Sequence, residues 1–424
     1  MREVSSHTVP THRGEAAPER GPVRPLDDLV VLDLSQFAAG PYGMQFLADA
    51  GARVVKVEMP GAGDPYRHEG PPLAGGEPGD GTFFMRFNRN KESVALDLRH
   101  AGGRRAFEAL VRAADVLIEN FKPGSLDRLG YGWPRLRELN PRLVYATITG
   151  YGHTDVLASP LSRWPAFAIT AEAMGGLMDV IGDVGCAPHG TAVSAGDLVA
   201  GVEAALGIMM ALRHRDRTGR GQRVDVAMAD AMAALNERSV FTYNLTGEVP
   251  RRGRERQIAP FGAFRAKDGH VAIGVIGRPV WRRFCHAIGR PDLFDDAELA
   301  DAAGRSRHLE GTLRPAIEGW LRERTKHEAA RLLCDAGVPA APVMDARDVS
   351  ESAHFRSRRM LIEFEYPGAG TVRVAGDPIK LGADLDAPLT RPPALGEHTD
   401  AVLAELAGLG AGEIAELRRQ GAIA

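Results

Sequence analysis

The residue best placed to do chemistry is Asp197, reached through the small residues Ser194-Ala-Gly. It opens the run Leu198-Val-Ala-Gly-Val-Glu-Ala-Ala-Leu-Gly-Ile-Met-Met-Ala-Leu212, which is apolar almost throughout and reads as a buried helix. A carboxylate at the start of such a helix faces the positive end of its dipole, which favours the ionised, nucleophilic form at neutral pH. Carboxylates can serve as covalent nucleophiles. An aspartate before an apolar helix is more often an N-cap, and spacing alone leaves both readings open.

Other chemical signals are weaker. Gly61-Ala-Gly63-Asp-Pro lacks the spacing and the following helix of a dinucleotide fingerprint, so dinucleotide binding is not expected. There is no P-loop, HExxH or GxSxG pattern. His398, in Gly-Glu-His-Thr-Asp, is a candidate base, although a lone loop histidine more often caps or is solvated. Cys186, Cys285 and Cys334 form neither a CxxC pair nor a zinc pattern, which fits a reducing, cytoplasmic compartment and no bound metal.

These residues must be positioned by a framework, and the apolar runs indicate one. Leu29–Leu34 reads as a buried parallel strand, Gly40–Gly51 as a helix and Arg53–Glu58 as a second strand. Further strands are expected at Ser93–Leu98, Val116–Glu119, Leu143–Thr149 and Gln222–Met228, with a helix at Gly103–Ala113. Helical character dominates from Ile169 to about Arg215. Strands alternating with helices imply an α/β fold with a large parallel-sheet domain. A composition shift at 247–257 marks entry to a smaller inserted α+β domain, with strands in Ala263–Val275 and helices from Val280 to Ala336. Pro339-Ala-Ala-Pro342 marks the way back, Phe364–Leu381 reads as strands, and two helices (399–408 and 411–420) close the chain. The expected organisation is a disordered arm at 1–25, a large domain at 26–225, a linker and small domain at 226–340, and a return to the large domain at 341–424.

With 424 residues and a net charge of −3, the chain gives no electrostatic reason to expect nucleic acid or an anionic membrane as partner. The basic run Arg251, Arg252, Arg254, Arg256 reads as a solvated loop. The N-terminus has no apolar core of a signal peptide, and no stretch reads as long and charge-free enough to span a bilayer.

Several motifs, taken in order, resemble the class III CoA-transferases, a family that includes formyl-CoA transferase, carnitine CoA-transferase and α-methylacyl-CoA racemase. The landmarks are VLDLSQFAAGP (31–41), GARVVKVEMPGAGDPYR (51–67), FNRNKESVALDL (87–98) and ADVLIENFKPGSLDRLG (114–130). They continue with NPRLVYATITGYG (140–152), AEAMGGLM (171–178), SAGDLVAG (194–201), RTGRGQRVDVAMADAM (217–232) and AGVPAAPV (336–343), so the resemblance spans nearly the whole chain. It implies that Asp197 is the nucleophile, forming an aspartyl anhydride and then an aspartyl-CoA thioester while CoA passes from an acyl-CoA to a carboxylic acid. It also implies a CoA site on the large domain that includes Leu96, Arg99, Asn120, Phe121, Arg128 and Leu129. Arginine suits the phosphates and apolar side chains the adenine. CoA thioesters would be substrates with no permanently bound cofactor, and the protein would be an interlocked homodimer. Small dicarboxylates and their CoA esters are the first candidates by this analogy.

Three departures bear on specificity. Ala168 and Ala38 stand where formyl-CoA transferase has a glutamate and a glutamine, and its four-glycine loop is replaced by Arg256-Gln-Ile-Ala-Pro-Phe-Gly262. These argue against formyl-CoA and oxalate as the specific pair and allow a larger or less polar acyl pocket. The racemase branch needs an acid–base pair, but its histidine position falls on Phe167 and its glutamate near Gly277, so racemisation is the weaker alternative. A CoA-binding protein with lost catalysis is the other.

Overall fold

The computed structural model describes residues 24–72, 81–183, 185–250, 252–253, 258–367, 370–382 and 388–424. Most of the expected arm lies outside the described residues, as do Arg251, Arg254, Arg256 and Gln257. Arg24 is already anchored, its guanidinium donating to the Asp49 carbonyl.

Six parallel strands form the main sheet: β1 (Val30–Asp33), β2 (Arg53–Glu58), β3 (Lys91–Ala95), β4 (Val116–Glu119), β5 (Val144–Thr149) and β6 (Arg223–Ala227), in the order β3-β2-β1-β4-β5-β6. Both faces of the sheet are covered, which is why its central strands β1, β4 and β5 read as largely apolar runs rather than alternating ones. Leu32, Val55, Val94, Leu117 and Tyr145 point to one face, while Val31, Val54, Val116, Ile118 and Val144 point to the other. The first face packs against α2 (Ala101–Ala113 in the numbering that starts at α1, Ala39–Asp49) and the C-terminal helices Thr399–Glu405 and Ala411–Arg419. Helix α2 is capped by His100 Nδ1, which accepts from the Gly102 N–H, and it buries Ala106, Phe107, Leu110 and Val111 as one stripe. Complete burial of a side chain such as Phe107 contributes about 1.5–3 kcal/mol.

The short helices α3 (Ser125–Arg128) and α4 (Trp133–Leu139) follow β4, and α5 (Ala168–Met174) and α6 (Leu177–Val180) follow β5. The second face is covered by α1, α7 (Ala195–Thr218) and α8 (Met228–Leu235), with α9 (Glu237–Thr246) leading away. Helices α1 and α7 cross with their backbones nearly touching: a Cβ on Gly43 would lie 2.3 Å from the Gly201 carbonyl oxygen. Only glycine permits this approach at both positions.

Three expectations change. The third strand begins at Lys91 rather than Ser93, because a buried ion pair allows a lysine at the strand start. Among the described residues, helix is interrupted at 181–183 and 185–194, where Ala192 and Ser194 adopt the left-handed region, φ 59° and 55°. Finally, α7 is long and apolar enough to cross a membrane by length and composition, with mean hydropathy 1.6, its best window holding just the acidic Asp197 and Glu203. It packs against α1, α8, β5 and β6 through Ala200, Ala204, Ile208 and Leu212, as the core helix of a folded domain does.

A second sheet, β7 (Phe261–Ala266), β8 (Gly269–Gly274) and β9 (Ala340–Pro342), is antiparallel in the order β7-β8-β9 and encloses its own core around Trp281, Phe284, Leu313 and Leu333. Strands β10 (Leu361–Tyr366) and β11 (Gly370–Ala375) form a separate hairpin. The chain then lies along the β3 edge: the His398 N–H donates to the Ser93 carbonyl at 2.9 Å, and the Ala95 N–H donates to Thr399 Oγ1 at 3.1 Å. His398 Nδ1 accepts from the Ser93 N–H, so this histidine fastens the C-terminal segment to the sheet.

Candidate active site

The connections reverse direction between β1 and β4. In open parallel sheets ligands bind in the crevice beyond the C-terminal ends of the strands at such a switch point. The two loops that form it here are tied together: Asn120 Oδ1 accepts from the Gln36 N–H at 2.8 Å and Asn120 Nδ2 donates to the Gln36 carbonyl at 2.7 Å. Glu119 supports the loop from below, accepting from the Phe121 N–H and, at 3.2 Å, from the Tyr145 hydroxyl. Burial pushes the Glu119 carboxyl up to about 7.

The loop after β1 is held by a buried charge cluster. Phe37 adopts φ 63°, and its N–H donates to Asp64 Oδ1 at 3.1 Å. The same oxygen accepts from the Tyr66 N–H at 3.0 Å. Asp64 pairs through Oδ2 with Lys56 Nζ at 3.2 Å, and Lys56 also donates to the Ser35 carbonyl. Lys91 pairs with Asp33 at 2.9 Å and donates to Pro41 and Asn88. Two lysines and two aspartates thus balance in a fully buried site. Burial works against the charge on Lys56, but Asp33, Asp64 and Glu58 outweigh it and hold its ammonium above the usual range. Lys91 is brought down to about 8 by burial and the nearby Lys56.

Asp197 is the third residue of α7, not its N-cap; that position belongs to Ser194, whose carbonyl accepts from the Asp197 N–H at 3.0 Å. Its carboxylate makes no hydrogen bond among the described residues, which leaves it available for reaction. Burial, with the Glu172 charge adding to it, pushes the Asp197 carboxyl up to about 6. The helix dipole expected to keep it acidic is therefore outweighed, although the group remains predominantly ionised at pH 7. Glu172 is itself buried and accepts from the Thr191 N–H at 2.8 Å and Thr191 Oγ1 at 2.9 Å, pinning the segment that leads into α7.

Around Asp197, α5 and α7 meet end to end: a Cβ on Gly196 would lie 2.8 Å from the Ala168 carbonyl oxygen. The ring of Phe167, 69% exposed, meets Phe37 at 6.5 Å between centroids, and Phe37 meets Tyr66 at 5.5 Å. The Tyr66 phenol lies within the field of Asp197: burial first, and that charge second, raise it above the ordinary tyrosine range. Asp197, Ala168, Ala38, Phe37 and Tyr66 thus border one region with an apolar, aromatic wall. Ala38 and Ala168 are both buried in it.

The six residues expected to hold CoA lie along the C-terminal edge of the sheet but differ in what they offer. Asn120, Phe121, Arg128 and Leu129 cluster after β4. Arg128 is exposed, bonded to Ser125 Oγ at 2.8 Å, and pairs with no carboxylate among the described residues. Phe121 and Leu129 pack half-buried on the core. Leu96 and Arg99 follow β3, three strand spacings or about 14 Å away. The Leu96 side chain is 1% exposed and belongs to the core, so only its backbone faces the edge. Arg99 is exposed and held by both oxygens of Asp97. Asp64, Tyr66, Glu172 and Arg86 escaped sequence reasoning. The one available signal was Asp64-Pro-Tyr66, a turn-forming pair followed by an aromatic residue.

If ionised Asp197 is the reactive form, kcat/KM should fall about tenfold per pH unit below about 6. Glu172→Gln should move that limb to lower pH, since it removes the neighbouring negative charge. An unmoved limb with intact Thr191 contacts would show that Glu172 does not act on the nucleophile.

Three comparisons with known proteins bear on this geometry. The model of CoA-transferase family III matches residues 26–399. A succinyl-CoA:mesaconate CoA-transferase of Haloarcula hispanica is 41% identical, covering 91% of this chain and 97% of its own. An acetyl-CoA:oxalate CoA-transferase of Acetobacter aceti is 36% identical over 91% of this chain and 97% of its own. Among solved structures, a CaiB/BaiF family protein from Brucella suis superposes with a TM-score of 0.78 at 32% identity, covering 90% of this chain and 99% of that one.

Proposed function

The chain belongs to CoA-transferase family III, and we propose that it moves CoA from succinyl-CoA to a small dicarboxylic acid such as mesaconate through covalent intermediates on Asp197. The observation that carries this reading is the half-buried Asp197 carboxylate at the start of α7, without a hydrogen-bond partner among the described residues, beside an aromatic wall and next to the sheet's switch point. The named relatives, which act on mesaconate and oxalate, support a dicarboxylate.

One Asp197 oxygen attacks the thioester carbonyl, and the C–S bond breaks to give an aspartyl anhydride and CoA thiolate. The thiolate attacks the aspartyl carbonyl, releasing the donor carboxylate and leaving an aspartyl-CoA thioester. The acceptor carboxylate then attacks that carbonyl and expels the thiolate, forming a second anhydride. Thiolate attack on the acceptor's acyl carbon gives the new CoA ester and frees Asp197. Each step exchanges one acyl bond, so no oxidant or reductant is required. An acidic side chain poised near neutrality is a competent nucleophile and leaving group in both directions.

In this reading CoA lies along the C-terminal edge of the sheet, contacting Asn120, Phe121, Arg128, Leu129, Arg99 and the backbone of Leu96. CoA enters as a substrate with no permanently bound cofactor, and the enzyme works in the cytoplasm as an interlocked homodimer. Exposed Leu206 and Met210 on α7, and Phe241 and Leu245 on α9, offer the apolar surface that a second copy would cover. We assign residues 26–225 with 341–424 to the CoA-binding domain and 226–340 to the linker and small domain, with α8 at the start of the latter still packed on the main sheet.

Incubation with succinyl-CoA followed by peptide mass spectrometry tests the chemistry. We expect a CoA or succinyl adduct on the Asp197 peptide. CoA binding without any adduct at Asp197 would favour a CoA-binding protein that has lost catalysis.

A further inference from the structure

The aromatic wall beside Asp197 continues outward to an exposed arginine. From Phe167 and Phe37 it passes to Tyr66, whose ring meets Phe83 at 5.5 Å in an edge-to-face contact. The Arg86 guanidinium lies 5.1 Å from the Phe83 centroid and 4.5 Å from that of Phe87. Stacking on two rings fixes its plane without neutralising its charge. Arg86 is exposed and makes no hydrogen bond or ion pair among the described residues. Its neighbours differ: Arg67 is paired with Glu58 at 2.8 Å and Arg89 with Asp49. The Tyr66 hydroxyl also lacks a hydrogen bond among the described residues, and its phenol feels the charges of both Asp197 and Arg86.

We propose that Arg86, with the Tyr66 hydroxyl, binds the distal carboxylate of a dicarboxylate substrate while its other carboxyl group reacts at Asp197. This deepens the proposed function and rests on it. A free guanidinium and the nucleophile that both act on one phenol, Tyr66, suit a short diacid, whose two carboxylates are separated by a few carbons. The CoA phosphates are a poorer fit, because the whole pantetheine arm separates them from the reacting sulfur. The fixed fork of the guanidinium can receive both oxygens of a carboxylate.

The test compares wild type with Arg86→Gln, using acetyl-CoA as donor and, as acceptors, mesaconate and the monocarboxylate crotonate. Binding of free CoA is measured by calorimetry alongside. Loss of a charge-assisted pair should raise the mesaconate KM roughly 10- to 100-fold, and lower the mesaconate-over-crotonate ratio of kcat/KM by a similar factor. Arg86→Lys should recover part of that ratio. An unchanged ratio would overturn the proposal, as would weakened binding of free CoA, which would assign Arg86 to a phosphate. If wild type forms the Asp197 adduct but prefers crotonate, the dicarboxylate reading itself fails, whatever the variant does.

Discussion

Asp197→Asn is expected to reduce CoA transfer by roughly three orders of magnitude or more while leaving CoA binding and thermal stability close to wild type. The amide has nearly the shape of the carboxylate, but its oxygen is a poor nucleophile and cannot form the anhydride. Stability should hold because Asp197 does not cap α7; Ser194 occupies the N-cap position, and no other residue among those described relies on the Asp197 side chain for a hydrogen bond. Steady-state assays with succinyl-CoA, calorimetry with CoA and a thermal melt make up the measurement. Substantial turnover in the variant would end the covalent reading. A large drop in melting temperature would instead show that the carboxylate serves the fold.

Lys56→Met should be among the most destabilising single changes in the chain. Lys56 is fully buried in β2 and offsets the charges of Asp33 and Asp64, and its loss leaves Asp64 without an ion-pair partner among the described residues. Removing one partner from a buried ionic cluster strands the others in low dielectric and costs about 3–5 kcal/mol. In a protein of 424 residues that corresponds to a fall in melting temperature of about 3–6 °C. Any folded fraction should also be catalytically impaired, because Asp64 carries the backbone of both Phe37 and Tyr66. A thermal melt that stays within a degree of wild type would show that methionine is accommodated and that the cluster does not hold the loop in place.

The parts of this protein that could be read from its sequence are those governed by local patterns. Strands β1, β2, β4 and β5 announce themselves as largely apolar runs bounded by turns, because a strand buried on both faces needs an apolar residue at most positions, while β6 shows by alternation at the half-buried edge. Asp197 stands out for a similar reason: it is an acid at the mouth of a long apolar helix. The nucleophilic role proposed for it rests on resemblance, not on spacing. Strand β3 starts two residues before its apolar pattern, since Lys91 is an improbable buried residue until Asp33 is brought beside it.

Tertiary structure decided the rest. Phe37, Tyr66, Arg86, Phe167 and Asp197 are far apart in sequence, and no periodicity relates them; the order of strands and the return of the chain bring them to one end of the sheet. The raised Asp197 carboxyl likewise depends on burial and on Glu172, contributed by a different helix. The free energy of a buried charge is set by the partners that folding places around it, and local sequence carries no record of those partners. Apolar pattern determined the layers of this protein, and long-range electrostatic pairing determined its site.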